Sequence, residues 1–184
     1  MNDTIQRFKF SVEDFYALSD MGVFADRHIE LIDGDVIEIT INPSHAKAVT
    51  KLQKAFLIGL GQNAMVYSQN PLDLGEPATL PGPDLMIIKR LDYLDSSGQD
   101  RHPYPDDVHL LIEVSDTMLL TDQTRKLELY AKHGVQEYWI ADLKGENWFV
   151  HREPVGDTYR VRLTYKFGEA FAPLAFLKQE QVWL

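Results

Sequence analysis

Two acidic residues stand where apolar segments of this chain begin or end. The run DVHLLIEV at 107–114 is almost continuously apolar and carries Glu113 near its end. The run DLMII at 84–88 opens on Asp84, directly after Pro83. Apolar runs of this kind are typical of strands that are covered on both faces of a sheet. An unpaired ionised carboxylate is unfavourable there, so each acid requires a cation or hydrogen-bond donors opposite it.

The two acids can share a cation if the two runs pair antiparallel. The start of the first run then lies beside the end of the second, and opposite residues in such a pair have Cβ atoms about 4.5–5.5 Å apart. Two ionised carboxylates at that distance repel, so either one pKa rises or a cation lies between them. A hard divalent cation with oxygen ligands is the simplest occupant. The sequence therefore predicts that Asp84 and Glu113 meet, and that a metal site results.

Composition excludes several other classes of protein. With 184 residues the chain is long enough for a single domain over 1–184 and too short for two ordinary ones. It has no cysteine, which excludes disulfides, zinc–thiolate sites and thiol nucleophiles. We expect a cytoplasmic protein without a membrane partner, because the N-terminus lacks a secretion pattern and no apolar run approaches the roughly 18–20 residues of a membrane helix. The net charge of −10 argues against a broadly basic nucleic-acid surface, but leaves room for a local basic groove or a metal that bridges to phosphate.

The N-terminal half predicts two helices and a hairpin around these runs. A helix is expected over 11–21, a hairpin over 28–40 with an Asp33-Gly34 turn, a helix over 43–60, a strand over 64–69, and loops over 69–83 and 89–105. Glu30 lies on the first arm of the hairpin, and its spacing alone favours a solvent-facing carboxylate. His45 falls on the apolar side of the first turn of the second helix. Its spacing is compatible both with a hydrogen-bonded core histidine and with a site residue.

The C-terminal half predicts a strand–helix–strand unit followed by a hairpin. The expected elements are a helix over 121–133 capped by Thr121, with Leu120, Leu127, Tyr130 and Ala131 on its core face, a strand over 136–142, hairpin arms over 147–152 and 158–165, and an aromatic tail that packs on the core. Asp122 and Lys126 are spaced i, i+4, which favours a surface ion pair worth about 0.3–0.5 kcal/mol. The helix nevertheless begins close after Glu113, so Lys126 could reach the carboxylate pair. The whole pattern predicts an α/β domain with a mixed sheet.

Taken in order, these motifs resemble the Uma-two family of endonuclease-like proteins, a bacterial branch of the PD-(D/E)XK, or restriction-endonuclease-like, superfamily. No other catalytic motif competes, since the chain has no GxSxG, HExxH or P-loop and no GxGxxG in the right setting. The resemblance spans about residues 30–152 and is carried by Glu30, Asp33-Gly34, Pro43-Ser44-His45, Pro83-Asp84, Ile112 to Ser115, Asp122, Lys126, Tyr130, Gly134-Val135 and Glu137 to Ile140.

The resemblance implies a fold and a set of site residues. The fold is a restriction-endonuclease-like core, with a central mixed β-sheet flanked by helices and hairpins at both ends of the chain. Asp84 resembles the acid of the Pro-Asp motif and Glu113 the second acid. The superfamily's usual lysine slot holds Ser115, and the lysine looks displaced onto the next helix as Lys126. Glu30 resembles an additional acid, and Asp116 stands where members commonly have proline.

The implied activity is metal-dependent hydrolysis of phosphodiester bonds in nucleic acid, with DNA the expected substrate and a homodimer the expected assembly. Asp84, Glu113 and the Val114 carbonyl would hold Mg²⁺ or Mn²⁺, and Lys126 would orient water or neutralise the transition state. Glu30 would position a water molecule or help to hold a second ion. Asp122, His45 and Ser115 would support the site, with Asp122 orienting Lys126.

Two alternatives remain open at this stage. A catalytically inactive binding or oligomerisation module could retain the same fold, because a fold alone does not prove activity. The acidic net charge favours this alternative. Hydrolysis of a small phosphoester by a metal-dependent site would use the same residues.

Overall fold

The protein is organised around a six-stranded mixed sheet. In this computed structural model residues 7–61, 63–89, 101–178 and 181–184 are described. The strand order is β3-β4-β5-β6-β7-β8, and only β5 and β6 run parallel. The bounds are Ala64–Ser68 (β3), Leu85–Lys89 (β4), Val108–Ser115 (β5), Glu137–Asp142 (β6), Asn147–Val155 (β7) and Thr158–Lys166 (β8). The predicted mixed sheet is confirmed. Most of the loop expected over 89–105 lies outside the described residues.

The antiparallel pairing of β4 with β5 is confirmed, and it determines where the two acids lie. Leu85 pairs with Ile112, so Asp84, one residue before β4, is opposite Glu113. Alternate residues of both strands point to opposite faces, and Ile112 packs with the core cluster on one face while Leu111 packs with the cluster on the other. By this alternation Asp84 and Glu113 share the face that carries Leu111.

That face is covered by a continuous helical segment, here called the composite helix. It runs through α3 (Leu119–Thr121), a π-helical turn (Asp122–Lys126) and α4 (Leu127–Lys132). It connects β5 to the parallel strand β6, as the predicted strand–helix–strand unit requires. Leu127, Tyr130 and Ala131 are buried, as expected.

Two details of the composite helix were predicted wrongly. Thr121 is not a cap, because the helix begins at Leu119 and Thr121 already has a helical backbone. Leu120 is 76% exposed rather than part of the core stripe. The π-helical turn explains the second error, since its wider i→i+5 winding rotates the residues before it relative to those after it.

The opposite face of the sheet is covered by helix α2 (Pro43–Leu60) and by the C-terminal tail. Asn42 caps α2 by accepting a hydrogen bond from the backbone of His45 at 3.0 Å, and one apolar face of α2 is buried. In the tail, the strands β9 (Ala170–Phe171) and β10 (Gln181–Val182) pair. Trp183 stacks on Phe56 of α2 with ring centroids 4.1 Å apart. The tail therefore packs on the core as expected.

The N-terminal hairpin forms a separate two-stranded sheet beside the main one. It consists of β1 (His28–Ile32) and β2 (Asp35–Ile39), joined at Asp33 and Gly34, which both have positive φ. Such values are typical of a type I′ turn, the signal that predicted this hairpin. Helix α1 (Val12–Asp20), capped by Ser11, packs Phe15 against one face of the hairpin.

The predicted C-terminal hairpin is present as β7 and β8. It is longer than expected, and it is not an appendage, because β7 pairs along β6 and so extends the main sheet to six strands. Within the described ranges, no helix is both long and apolar enough to cross a lipid bilayer.

Candidate active site

The paired acids lie at the edge of a cleft, where β4 begins and β5 ends. Asp84 Oδ2 accepts a hydrogen bond from the backbone N–H of Val114 at 2.8 Å. The N–H and the C=O of one residue in an extended strand point to the same side, so the Val114 carbonyl is also directed toward the side of Asp84. Val114 lines the cleft together with Asp84 and Glu113. Three groups with oxygen atoms therefore face one space.

The ammonium group of Lys126 lies between two carboxylates. Lys126 Nζ donates to Glu113 Oε1 at 3.0 Å and to Glu30 Oε1 at 2.9 Å, and all three side chains are buried. The hydroxyl of Tyr130 donates to the same Glu113 oxygen at 2.9 Å. Lys126 and Tyr130 are one turn apart on the composite helix, so this helix approaches Glu113 with two donors.

Two expectations that rested on spacing alone are wrong here. Glu30 is only 5% exposed rather than solvent-facing, because the face of the hairpin that carries it turns toward the composite helix. Asp122 and Lys126 are both buried, so they do not form a surface ion pair. Lys126 instead donates hydrogen bonds to Glu30 and Glu113, so it reaches the acids from the helix that follows Glu113.

Burial and charge shift the pKa values of the recess. We use the term acidic recess for Glu30, Asp84, Glu113, Asp122 and Lys126. Burial raises the pKa of Glu113, Lys126 opposes that effect, and Asp84 and Asp122 add to it. Burial also raises the pKa of Asp122 to about 6, again against the influence of Lys126. Burial alone would lower the pKa of Lys126, but the carboxylates of Glu113 and Glu30 outweigh it and raise that pKa. One ammonium group thus compensates several carboxylates, and the remaining negative charge favours the binding of an added cation.

His45 joins the recess from the first turn of α2. Its Nε2 lies 3.0 Å from Asp84 Oδ2, so that this oxygen accepts from both His45 and Val114. Burial lowers the pKa of His45, but the hydrogen bond to Asp84 and the negative charge of Asp84 raise it by more, so the pKa lies above its usual value. Of the two interpretations left open for His45, the structure favours a histidine that contacts the site.

Asp116, which stands where family members commonly have proline, forms hydrogen bonds with the N-terminus of α2. Asp116 accepts hydrogen bonds from Asn42 Nδ2 at 2.5 Å and from Ser44 Oγ at 2.8 Å. These two bonds hold the pKa of Asp116 below its usual value. Asp116 thereby joins the loop after β5 to the N-terminus of α2, the turn that carries His45. Ser115, also expected to support the site, is buried directly after Val114. Its hydroxyl is among the groups that lower the pKa of Asp122 and so oppose the effect of burial.

The cleft above the recess contains about 890 Å³ of empty volume, part of it open to solvent. The acids form one side, and the hairpin supplies apolar side chains, among them Ile37, Ile39 and Ile41, on another. Neither this apolar side nor Tyr130 was identified as part of the site from sequence. Tyr130 continues the i, i+4 series of Asp122 and Lys126, which is the signal that could have revealed it.

The donor set suits a hard divalent cation. Carboxylate and carbonyl oxygens are the ligands that Mg²⁺ and Mn²⁺ prefer, and Glu30 Oε2 is a buried oxygen that has no hydrogen-bond partner in the described part of the chain. Among the described residues, no three acidic or histidine side chains converge closely enough to form a ready-made cation cage. The residues therefore fit a site of two carboxylates and a carbonyl, with the remaining ligands supplied by water or substrate.

A mixed sheet that brings two acids together at the start of β4 and the end of β5, with a helix returning a lysine to them, defines a nuclease-like fold. The structure is similar to the crystal structure of "a putative nuclease belonging to DUF820 from Anabaena variabilis ATCC 29413", with a TM-score of 0.72 over 95% of each chain. At 15% sequence identity this likeness is one of fold.

The family follows from the sequence match. A family model described as "Uma2: Putative restriction endonuclease" matches residues 12–182, and the chain belongs to this family. The resemblance inferred from the motifs is thereby confirmed, over a longer stretch than the motifs covered. A comparison with curated proteins finds no match.

Proposed function

We propose that this protein is a metal-dependent endonuclease that hydrolyses phosphodiester bonds of nucleic acid, with DNA as the expected substrate. The observation that supports this most strongly is the meeting of Asp84 and Glu113 on one face of the sheet, with the Lys126 ammonium 3.0 Å from Glu113. The family match makes nucleic acid the natural substrate for this arrangement.

Asp84, Glu113 and the Val114 carbonyl would hold Mg²⁺ or Mn²⁺. Such an ion lowers the pKa of water and stabilises the charge that develops on phosphoryl oxygens. His45 keeps one Asp84 oxygen in place, and Tyr130 does the same for Glu113, so both carboxylates are positioned before any ion arrives. Pre-positioned ligands of this kind reduce the reorganisation needed at the moment of reaction.

Lys126 would act on the phosphate or on the attacking water. Its ammonium is buried and bonded to Glu113 and Glu30, so it is held beside the acids that would bind the ion. Within the ranges that the structure describes, one buried oxygen of Glu30 has no hydrogen-bond partner, and this oxygen can accept a proton from a water molecule. Asp122 carries negative charge near Lys126 and favours its charged form. It is a supporting residue in this proposal rather than a metal ligand.

The proposal is tested by neutralising each acid separately. Asp84→Asn and Glu113→Gln are expected to lower Mn²⁺-dependent cleavage of an oligonucleotide by about 100-fold or more, since several kcal/mol of charge stabilisation depend on the ion. Glu128→Gln, on an exposed position of the composite helix, is the matched control and should cleave at the wild-type rate. Cleavage that survives both recess substitutions would contradict the proposal.

A non-cleaving module remains the second candidate, because the chain carries a net charge of −10 and Lys126 already neutralises part of the recess. Calorimetric titration with Mn²⁺ separates the two candidates. The nuclease should bind the ion in a way that Asp84→Asn abolishes, whereas no binding at all would favour the module. The homodimer and the cytoplasmic location stay predictions, the first of which analytical ultracentrifugation tests.

A further inference from the structure

The face of the hairpin that carries Glu30 is otherwise largely apolar. Glu30 pairs with Ile37 and His28 pairs with Ile39, so both isoleucines share a face with Glu30, and Ile41 follows two residues later. We name Ile37, Ile39 and Ile41 the isoleucine wall. All three are partly buried and line the cleft, yet in the described part of the chain they belong to none of the hydrophobic core clusters. The opposite face of the hairpin packs on Phe15 and Leu80.

The isoleucine wall begins beside the recess. Residues directly opposite in an antiparallel pair have Cβ atoms about 4.5–5.5 Å apart, and Ile37 is directly opposite Glu30. Glu30 in turn bonds to Lys126 at 2.9 Å. A phosphate held at the recess would therefore place its attached nucleoside against the wall.

The charges of the cleft disfavour a long stretch of duplex. Of the described residues that line it, five are acidic, namely Glu30, Asp84, Glu113, Asp116 and Asp122, while the basic ones are His28, His45 and Lys126. His45 and Lys126 are already bonded to acids. Binding of a duplex tract relies on several phosphate contacts to lysine or arginine, which these residues do not provide. Affinity must then come from a metal at one phosphate and from apolar contact.

Apolar contact of this kind requires an unpaired base. In a duplex the faces of each base are stacked on their neighbours, and enzymes that hold a base in a pocket act on single strands or extrude the base. Contact between a base face and side chains tolerates any sequence, because every base has such a face. Thr40, Gln69 and Thr117 also line the cleft, and residues of these types offer polar atoms for base edges.

We propose that the isoleucine wall seats the base of an unpaired nucleotide whose phosphate lies at the recess. The substrate is then a single strand, a frayed end or a flap rather than an intact duplex. This inference rests on the proposed nuclease function. It concerns which form of nucleic acid the site accepts.

The experiment measures binding separately from cleavage. Fluorescence anisotropy, with Ca²⁺ in place of Mg²⁺, compares a single-stranded oligonucleotide with the duplex of the same sequence. The single strand should bind more tightly. The double variant Ile37→Ser/Ile39→Ser should weaken single-strand binding by about fivefold, the low end of the range for stacking on an aromatic side chain, because isoleucine offers a base apolar contact without stacking. Its effect on duplex binding should be smaller.

Two further variants control for folding and for composition. Ile58→Ser replaces an isoleucine that is 73% exposed on α2 and should bind like wild type. Ile39→Phe adds a flat surface to the wall and should strengthen single-strand binding, a gain that an unfolded variant could not produce. Thermal melts of all four proteins establish that each is folded.

The outcomes separate the inference from the proposed function. Equal binding of single strand and duplex, or no effect of the wall variants, would overturn the inference even if Mn²⁺-dependent cleavage occurs. Tight single-strand binding that depends on the wall, without cleavage of any substrate, would support the seat and contradict the nuclease. Single-stranded RNA bound as tightly as DNA also supports the seat, and the strand that is cleaved then identifies the substrate.

Discussion

At the scale of single residues, Lys126 has the largest electrostatic role in the recess. Its ammonium contacts Glu30 and Glu113 in a place where all three side chains are buried. Removing one partner of a buried charge group leaves the others uncompensated, which typically costs about 3–5 kcal/mol. Lys126→Met should therefore lower the free energy of unfolding by about this amount at pH 8, as measured by urea denaturation.

Lys132 provides the matched control for this substitution. It lies on the same composite helix, its side chain is 64% exposed, and it forms a surface ion pair with Glu76. Ion pairs of that kind contribute little, so Lys132→Met should unfold like wild type. A Lys126→Met protein that also unfolds like wild type would show that the buried ammonium does not compensate the two acids.

His151, on strand β7, gives a second residue-scale prediction. Both of its ring nitrogens are buried and have no hydrogen-bond partner in the described ranges, and its ring contacts those of Tyr138 and Tyr159. Burial, with a contribution from Arg162, lowers the pKa of His151 to about 4 from an ordinary 6.5. Between these pH values the unfolded chain binds a proton that the folded protein does not, so stability falls as the pH decreases from 6.5 to 4.

His151→Phe should remove this pH dependence, because phenylalanine fits among the two tyrosines and does not titrate. At pH 5 the variant should be more stable than wild type by about 2 kcal/mol beyond any difference at pH 8, following from 1.36 kcal/mol per pKa unit. Urea denaturation at both pH values measures it. Parallel pH profiles for the two proteins would contradict the buried, neutral state of His151.

The residues of the site were predictable from sequence to different degrees. Asp84 and Glu113 stand out because an acid beside a continuous apolar strand has few structural explanations. Glu30 does not stand out, because alternation within a hairpin shows which residues share a face but not which face turns inward. That choice is made by the contacts of Leu31 with Leu80 and Phe15, which are distant in sequence.

At the scale of elements, the N-terminus of α2 and the loop after β5 act as one unit. Asn42 caps α2 and also donates to Asp116, and Ser44 donates to Asp116 as well. Removal of an N-cap side chain costs about 1 kcal/mol. Asn42→Ala should lower the free energy of unfolding by about that amount. It should also reduce Mn²⁺-dependent cleavage, since His45 is positioned by this turn.

A double-mutant cycle tests whether the two segments are coupled. With Asn42 replaced by alanine, the further change Asp116→Ala should cost less than it does in the wild-type background, because the shared hydrogen bond is already lost. Lys144→Ala is the control. Lys144 Nζ lies 3.8 Å from Asp116 Oδ1, and the side chain of Lys144 is exposed. The effect of Lys144→Ala on the free energy of unfolding should therefore add to that of Asn42→Ala. Additive behaviour of Asp116→Ala would contradict the coupling.

The turn of the N-terminal hairpin was predicted correctly from its local signal, whereas the winding of the composite helix, which the tertiary fold shapes, was not. The Asp33-Gly34 turn depends on neighbours within a few residues, so the sequence pattern is sufficient. The π-helical turn at Asp122–Lys126 has no local signal of this kind. It lies where the composite helix passes Glu30 and Glu113, and its winding decides which side chains face them.

At the scale of the whole molecule, the charge of −10 limits how the protein can hold nucleic acid. Each phosphate neutralised by a lysine or arginine adds about 0.7 to the salt slope of single-strand binding. With the few basic residues that line the cleft, the slope of log K against log salt should stay below about 2 in magnitude. Anisotropy titrations between low and moderate KCl measure it. A slope of about 5 or more would require a basic surface that the cleft does not provide.

The order of strands was only partly predictable, for a reason that belongs to this scale. The β4–β5 pair and the β5–helix–β6 unit follow from neighbouring segments of sequence. The assignment of β7 and β8 to the main sheet does not, because a hairpin can be stable beside a sheet or as part of it. Pairing of six residues between β6 and β7 decides this, and only the packed structure reveals it.

The most direct test of the account is the position of a divalent cation in crystals soaked with Mn²⁺. Anomalous scattering should give a peak between the carboxylates of Asp84 and Glu113 and the carbonyl of Val114, and the peak should vanish in Asp84→Asn crystals. A fully soaked crystal with no peak there, or with its strongest peak away from both acids, would contradict the central claim.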